Sequence, residues 1–76
     1  MAMVLSEVTP GENVKLKAIN GGRGLKSKLY SLGLVPGVNL KVLCGESAGP
    51  VMICIRDSRL ALGRGMAEKI IVDGEG

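Results

Sequence analysis

The sequence predicts a mainly β domain: a small, partly open barrel of about five short strands. One short helix lies between the first and second strands, and a helical turn precedes the last. Three observations carry this. Two segments, Asn13–Ile19 and Val38–Cys44, alternate apolar and polar residues with the period of a half-buried strand. Twelve glycines punctuate 76 residues and keep every segment short. Only one stretch, around Leu25–Gly33, carries a clear helical period.

Taken in order, "MAMVLSEVTPG" is a short apolar opening that ends in a Pro10-Gly11 turn. In "NVKLKAI", Val14, Leu16 and Ala18 are expected to face the interior, and Lys15 and Lys17 the solvent. "NGGRG" breaks the strand, and "LKSKLYSLG" sets Leu25, Leu29 and Leu32 on one stripe of a short amphipathic helix. Gly33 then fits the left-handed position that closes a Schellman cap, with Leu34 returning onto Leu29. Pro36 ends any helix and Pro36-Gly37 turns the chain into the second strand, with Val38, Leu40, Val42 and Cys44 inward. "GESAGP" is a loop whose Gly49-Pro50 leads into "VMICI", a run apolar on both faces and expected to be covered twice. "RDSR" reads as a tight turn, "LALG" as a short strand, "RGMAEK" as at most one helical turn, "IIVD" as the last strand and "GEG" as a frayed tail. One motif occurs twice: "PGENVKL" and "PGVNLKV" share Pro-Gly-x-Asn-apolar-Lys-apolar, read as two type II turns each feeding a strand.

The length allows one small domain, residues 1–76, whose core must be built from aliphatic side chains because Tyr30 is the only aromatic. Without aromatic rings there is no stacking platform for single-stranded nucleic acid. A net charge of +3 is a mild excess, short of a dense basic stripe, so no DNA partner is expected. Cys44 and Cys54 lie in apolar runs and read as buried free thiols of a reducing compartment. No run approaches the roughly 20 apolar residues of a membrane span, and the opening residues lack the features of a signal peptide. The expected location is the cytoplasm.

Catalysis is not expected. "GESAG" satisfies G-x-S-x-G, but a nucleophile elbow needs a helix after it and a histidine base, and the chain has no histidine. "GGRGLK" and "GRGMAE" are incomplete dinucleotide fingerprints. The carboxylates Glu7, Glu12, Glu46, Asp57, Glu68, Asp73 and Glu75 are scattered, with no spacing that pairs two of them. Nor do they suggest a metal site: no cofactor is expected, and ferrous iron favours imidazole and carboxylate clusters that the chain lacks. "GENVKLKAINGGRG" resembles the KOW motif of ribosomal and elongation proteins, which implies an alternative as an RNA- or ribosome-binding module through Lys15, Lys17 and Arg23.

"KLYSLGLVPGVNLKVL" followed by "GPVMICIRDSRLALGRGMAEKIIV" resembles the FeoA family of ferrous iron transport proteins over nearly the whole chain. The ordered matches are Leu32, Gly33, Leu34, Pro36, Gly37, Gly49, Pro50, Ala61, Leu62, Ala67, Ile70 and Val72. The resemblance implies an SH3-like β-barrel and an accessory protein without enzymatic activity. It also implies a partner, the cytosolic part of a membrane ferrous iron transporter with a GTPase domain, with iron as the transported ion only. The same barrel resembles the C-terminal domain of iron-dependent repressors, whose DNA-binding portion has no counterpart here.

Docking then falls to surface features that packing does not require. Tyr30 lies off the leucine stripe, Val35 and Pro36 form an apolar corner beside it, and Met52 points opposite to Val51, Ile53 and Ile55. Arg64 offers a charge to an acidic partner. The structural turns and caps are Gly33, Pro36, Gly37, Gly49 and Pro50, and weak self-association is compatible with this reading.

Overall fold

The computed structural model describes residues 2–45, 49–56 and 58–74. Strand β1 is Ala2–Val4 and is followed by a 3-10 turn at Leu5–Glu7. Then come β2 (Asn13–Ile19), α1 (Arg23–Ser31), β3 (Asn39–Gly45), β4 (Val51–Ile55), β5 (Ser58–Leu62), α2 (Arg64–Ala67) and β6 (Ile70–Gly74). All pairings are antiparallel, in one curled sheet of order β1-β6-β2-β3-β4-β5. The barrel is not closed, because β1 and β5 are its two edges. The sheet has six strands where the sequence suggests about five. The additional one is β1, three residues long and too short to show a period, and held by pairing with β6. Of the residues read in the sequence, Glu46, Ser47, Ala48, Asp57, Glu75 and Gly76 lie outside those the structure describes.

One aliphatic core fills the concave side. Val14, Leu16 and Ile19 from β2, Leu40 and Val42 from β3, Val51, Ile53 and Ile55 from β4, and Ile70 and Val72 from β6 are all buried. Leu5 and Val8 from the N-terminal turn, Leu29 and Leu34 around the end of α1, Leu62 and Ala67 complete it. No polar or charged residue joins this core among the described residues.

Two β-bulges alter the expected alternation. Between β2 and β6 the register runs Leu16↔Val72, then Ala18↔Ile71 and Ile19↔Ile70, so Lys17 is the extra residue. Beyond it the faces exchange: Ile19 enters the core and Ala18, expected inside, is only half-buried. Between β3 and β4, Val42↔Ile53 is followed by Cys44↔Met52, with Leu43 as the extra residue. Cys44, expected inward, is therefore exposed on the outer face, and Cys54 is half-buried; both are free thiols. Strand β4, expected to be covered on both faces, is fully covered on one only, since Met52 and Cys54 stay partly exposed on the other.

The repeated motif becomes a local pseudo-twofold. In each copy the glycine has positive φ, +98° at Gly11 and +93° at Gly37, and the residue after it donates back to the residue before the proline. Those bonds, Glu12 N–H to Thr9 and Val38 N–H to Val35, are both 3.1 Å, as a type II turn requires. Each glycine N–H also reaches the other strand, Gly11 to the Val42 carbonyl and Gly37 to the Leu16 carbonyl, at 2.7 Å in both cases. The strands they feed pair as Asn13↔Lys41, Val14↔Leu40 and Lys15↔Asn39, centred on two buried apolar residues.

Candidate docking surface

The end of α1 decides what this region exposes. Leu32 closes the helix at φ −89°, and Gly33 follows at φ +95°. The Gly33 N–H donates to the Tyr30 carbonyl and the Leu34 N–H to the Leu29 carbonyl, both at 3.0 Å. This is the Schellman arrangement, and it returns Leu34 to the interior with Leu29. Leu34 thus takes the interior place that a continuing stripe would give Leu32. Leu32 stands 43% exposed, contrary to its expected place on the buried stripe.

The next turn pins the chain. With Gly37 bonded to β2 and Val35 held by its N–H donating to the Gly33 carbonyl (3.1 Å), the side chains of Leu32, Val35 and Pro36 are left outside the core. They line an open groove of about 480 Å³ together with Gly33, Gly37 and Val38 on one side and Ile55, Arg56 and Ser58 on the other. Its floor and walls are largely aliphatic, and Val35 is 41% exposed. Large apolar side chains exposed together make this groove the candidate contact surface of the molecule.

Of the residues singled out in the sequence, the structure brings Val35 and Pro36 into this groove. Tyr30 is 41% exposed on the last turn of α1 but does not line it. Met52 lies elsewhere, on the outer face of the sheet between Cys44 and Ala61. Arg64 begins α2 and is half-buried, and Gly49 and Pro50 lead into β4. Lys15 and Lys17 are exposed on β2, with Lys17 3.7 Å from Asp73 in a solvent-exposed ion pair. Among the described residues no group of three or more Cys, Asp and Glu side chains comes together as a metal site.

Five groove residues escaped the sequence reading as surface candidates: Leu32, Val38, Ile55, Arg56 and Ser58. For Leu32 the signal was present, since the residue before a Schellman glycine is the last of the helix and Leu34 already claims the interior. Ile55 and Arg56 join the groove only because the β4–β5 hairpin comes beside the α1–β3 connection, a juxtaposition no local pattern records. Arg56 has φ +52°, the one non-glycine residue with positive φ among those described. Its carbonyl accepts a bond from the Cys54 thiol at 3.5 Å.

Comparison with known proteins gives a consistent picture. The model of the FeoA domain matches residues 3–74. A curated protein of Methanocaldococcus jannaschii, named as an Fe(2+) transport protein A, is 43% identical over 63 residues, covering 83% of this chain and 76% of its own. The crystal structure of an iron uptake regulatory protein, FeoA, superposes with a TM-score of 0.93 at 36% identity, covering 99% of this chain and 100% of that one. The FeoA of Stenotrophomonas maltophilia, described as a prokaryotic SH3 domain protein, matches with a TM-score of 0.81 at 21% identity, over 93% of this chain and 89% of its own. At that identity the likeness is one of fold, and the fold is SH3-like.

Proposed function

The chain belongs to the FeoA family of ferrous iron transport proteins, and from that premise we propose that it is an accessory protein which docks on the cytosolic part of a membrane ferrous iron transporter with a GTPase domain. It acts by binding, without chemistry of its own, and iron is the transporter's cargo rather than its ligand. The observation that carries this reading is the aliphatic groove between the α1–β3 connection and the β4–β5 hairpin, with Leu32 and Val35 exposed beside one another. Grooves with an apolar floor are how small SH3-like barrels take extended segments of a partner. None of the described helices is long and apolar enough to cross a membrane, which suits a partner that visits the transporter from the cytoplasm.

The test is a binding measurement between the purified chain and the isolated cytosolic domain of the transporter from the same host. Saturable binding that weakens in a Val35→Ser variant of unchanged melting temperature supports the proposal. Absence of binding by the unaltered chain sinks it. The KOW-like alternative predicts RNA capture through Lys15, Lys17 and Arg23. The fold disfavours it, because α1 follows β2 where a KOW motif continues into another strand.

A further inference from the structure

The repeated Pro-Gly-x-Asn-apolar-Lys motif has a second consequence, on the outside of the sheet. Because β2 and β3 pair about Val14↔Leu40, Asn13 lies opposite Lys41 and Lys15 opposite Asn39. All four are exposed, so the motif sets two lysines and two side-chain amides in a compact square. The row continues across the sheet: Lys41 is opposite Cys54, and Cys54 is opposite Arg59. Arg59 is exposed too, on the outward-facing side of β5. A shallow groove of about 240 Å³ opens here, lined by Asn13, Asn39, Leu40, Lys41, Cys54 and Arg56.

Arg56 lines both grooves, the aliphatic one and this polar one. It is the ridge between them, and it holds a backbone conformation that glycine or asparagine would adopt more cheaply. Lys41, Arg56 and Arg59 are all exposed, and among the described residues no carboxylate pairs with them, whereas Lys15 lies opposite Asp73 and Lys17 is ion-paired with it. Three cations beside two amides form a surface for carboxylates or phosphates. Continuity with an aliphatic groove favours carboxylates carried on a chain that also has apolar side chains. A site for single-stranded RNA would add bases stacked on aromatic rings to its phosphate contacts, and Tyr30, the only aromatic, lines neither groove.

We propose that the two grooves joined at Arg56 form one bipartite site for an acidic, apolar segment of the transporter's cytosolic part. Its carboxylates would meet Lys41, Arg56 and Arg59, and its apolar side chains would enter beside Leu32 and Val35. This rests on the docking reading above and names what is recognised. Arg56 supplies a guanidinium fork suited to a carboxylate, Lys41 and Arg59 supply charge, and the asparagines add amide donors.

The experiment measures binding of the full chain to the transporter's cytosolic domain, to short overlapping peptides of that domain, and to a single-stranded oligoribonucleotide. The variants are Arg56→Gly, the double substitution Lys41→Glu with Arg59→Glu, and Val35→Ser. Arg56→Gly relieves the backbone, so its melting temperature should be no lower than that of the unaltered chain, while domain binding weakens. The double charge reversal should weaken binding about tenfold or more. The capturing peptides should combine acidic and apolar residues and lose affinity as salt rises. Domain binding unchanged in both charge variants overturns this inference and leaves docking standing. No binding by the unaltered chain overturns docking and this inference with it. Oligoribonucleotide capture as tight as the best peptide, lost in the same variants, assigns the face to RNA and overturns the peptide proposal.

Discussion

The two Pro-Gly turns are built alike and do different things. Val8-Thr9-Pro10-Gly11-Glu12 and Leu34-Val35-Pro36-Gly37-Val38 share an interior anchor, a glycine at positive φ and a glycine N–H bonded across to the other strand. In the first, the Glu12 carboxylate accepts the Thr9 N–H at 3.1 Å and the turn is closed by its own polar groups. In the second, Val35 replaces the threonine and Val38 the glutamate, and Val38 packs against the core while Val35 is left facing the groove. One backbone solution therefore yields a self-satisfied corner at one end of the strand pair and an apolar, open one at the other. Backbone geometry set the positions, and side-chain chemistry alone decided which corner is left apolar and open.

The comparison can be broken at its anchors. Leu34→Ala removes a fully buried side chain and should cost about 2–5 kcal/mol of unfolding free energy in a denaturant titration. Val8→Ala, with fewer methyl groups and slightly more exposure, should cost less. If the order reverses, the anchors are not equivalent in the way the pseudo-twofold requires.

The glycines come next. A Cβ at Gly11 or Gly37 would meet nothing within 4 Å, so Gly11→Val and Gly37→Val should each lose about 1–3 kcal/mol from backbone strain alone, and by similar amounts. Gly33→Val belongs with them, since its φ is +95° and a Cβ there also meets open space; it should cost more than about 1 kcal/mol. A neutral result at Gly33 would refute the cap.

Smaller effects separate the two corners. Glu12→Ala deletes one side-chain bond to the backbone and should cost about 0.5–1.5 kcal/mol, with no effect on transporter binding. Exchanging the corner residues is the finest probe. Val35→Thr and Thr9→Val keep the shape and should each change stability by less than about 0.5 kcal/mol. Val35→Thr should nevertheless weaken docking about fivefold, the worth of roughly 1 kcal/mol of apolar contact, whereas Thr9→Val should leave it unchanged. Equal effects at the two positions in an isothermal titration would show that the corners are not distinct surfaces.

The sequence by itself determined what depends on neighbours along the chain. Leucine spacing, Gly33 and Leu34 set the end of α1; the two Pro-Gly dipeptides set the turns; alternation set β2 and most of β3; and a short apolar run set β4. Each rests on local sterics, a pyrrolidine ring, a missing Cβ or a two-residue period, and each is legible in a few residues. Two of the nine groove residues, Val35 and Pro36, were legible for the same reason, because packing leaves an apolar corner after a capped helix nowhere to go.

Tertiary structure decided the rest. The last strand enters the sheet between the first two, which places β6 beside β1 and gives Ala2–Val4 a reason to be a strand. The bulges at Lys17 and Leu43 exchange the faces of Ala18, Ile19 and Cys44, and their positions follow from registers with distant strands. Leu32 is exposed because Leu34 returns to the interior, and Ile55 and Arg56 line the groove because β4 pairs with β3. A two-residue period cannot encode its own slip, and no local rule carries the loop closures that bring residues far apart in sequence side by side. Those are fixed only when one core has to satisfy all six strands at once.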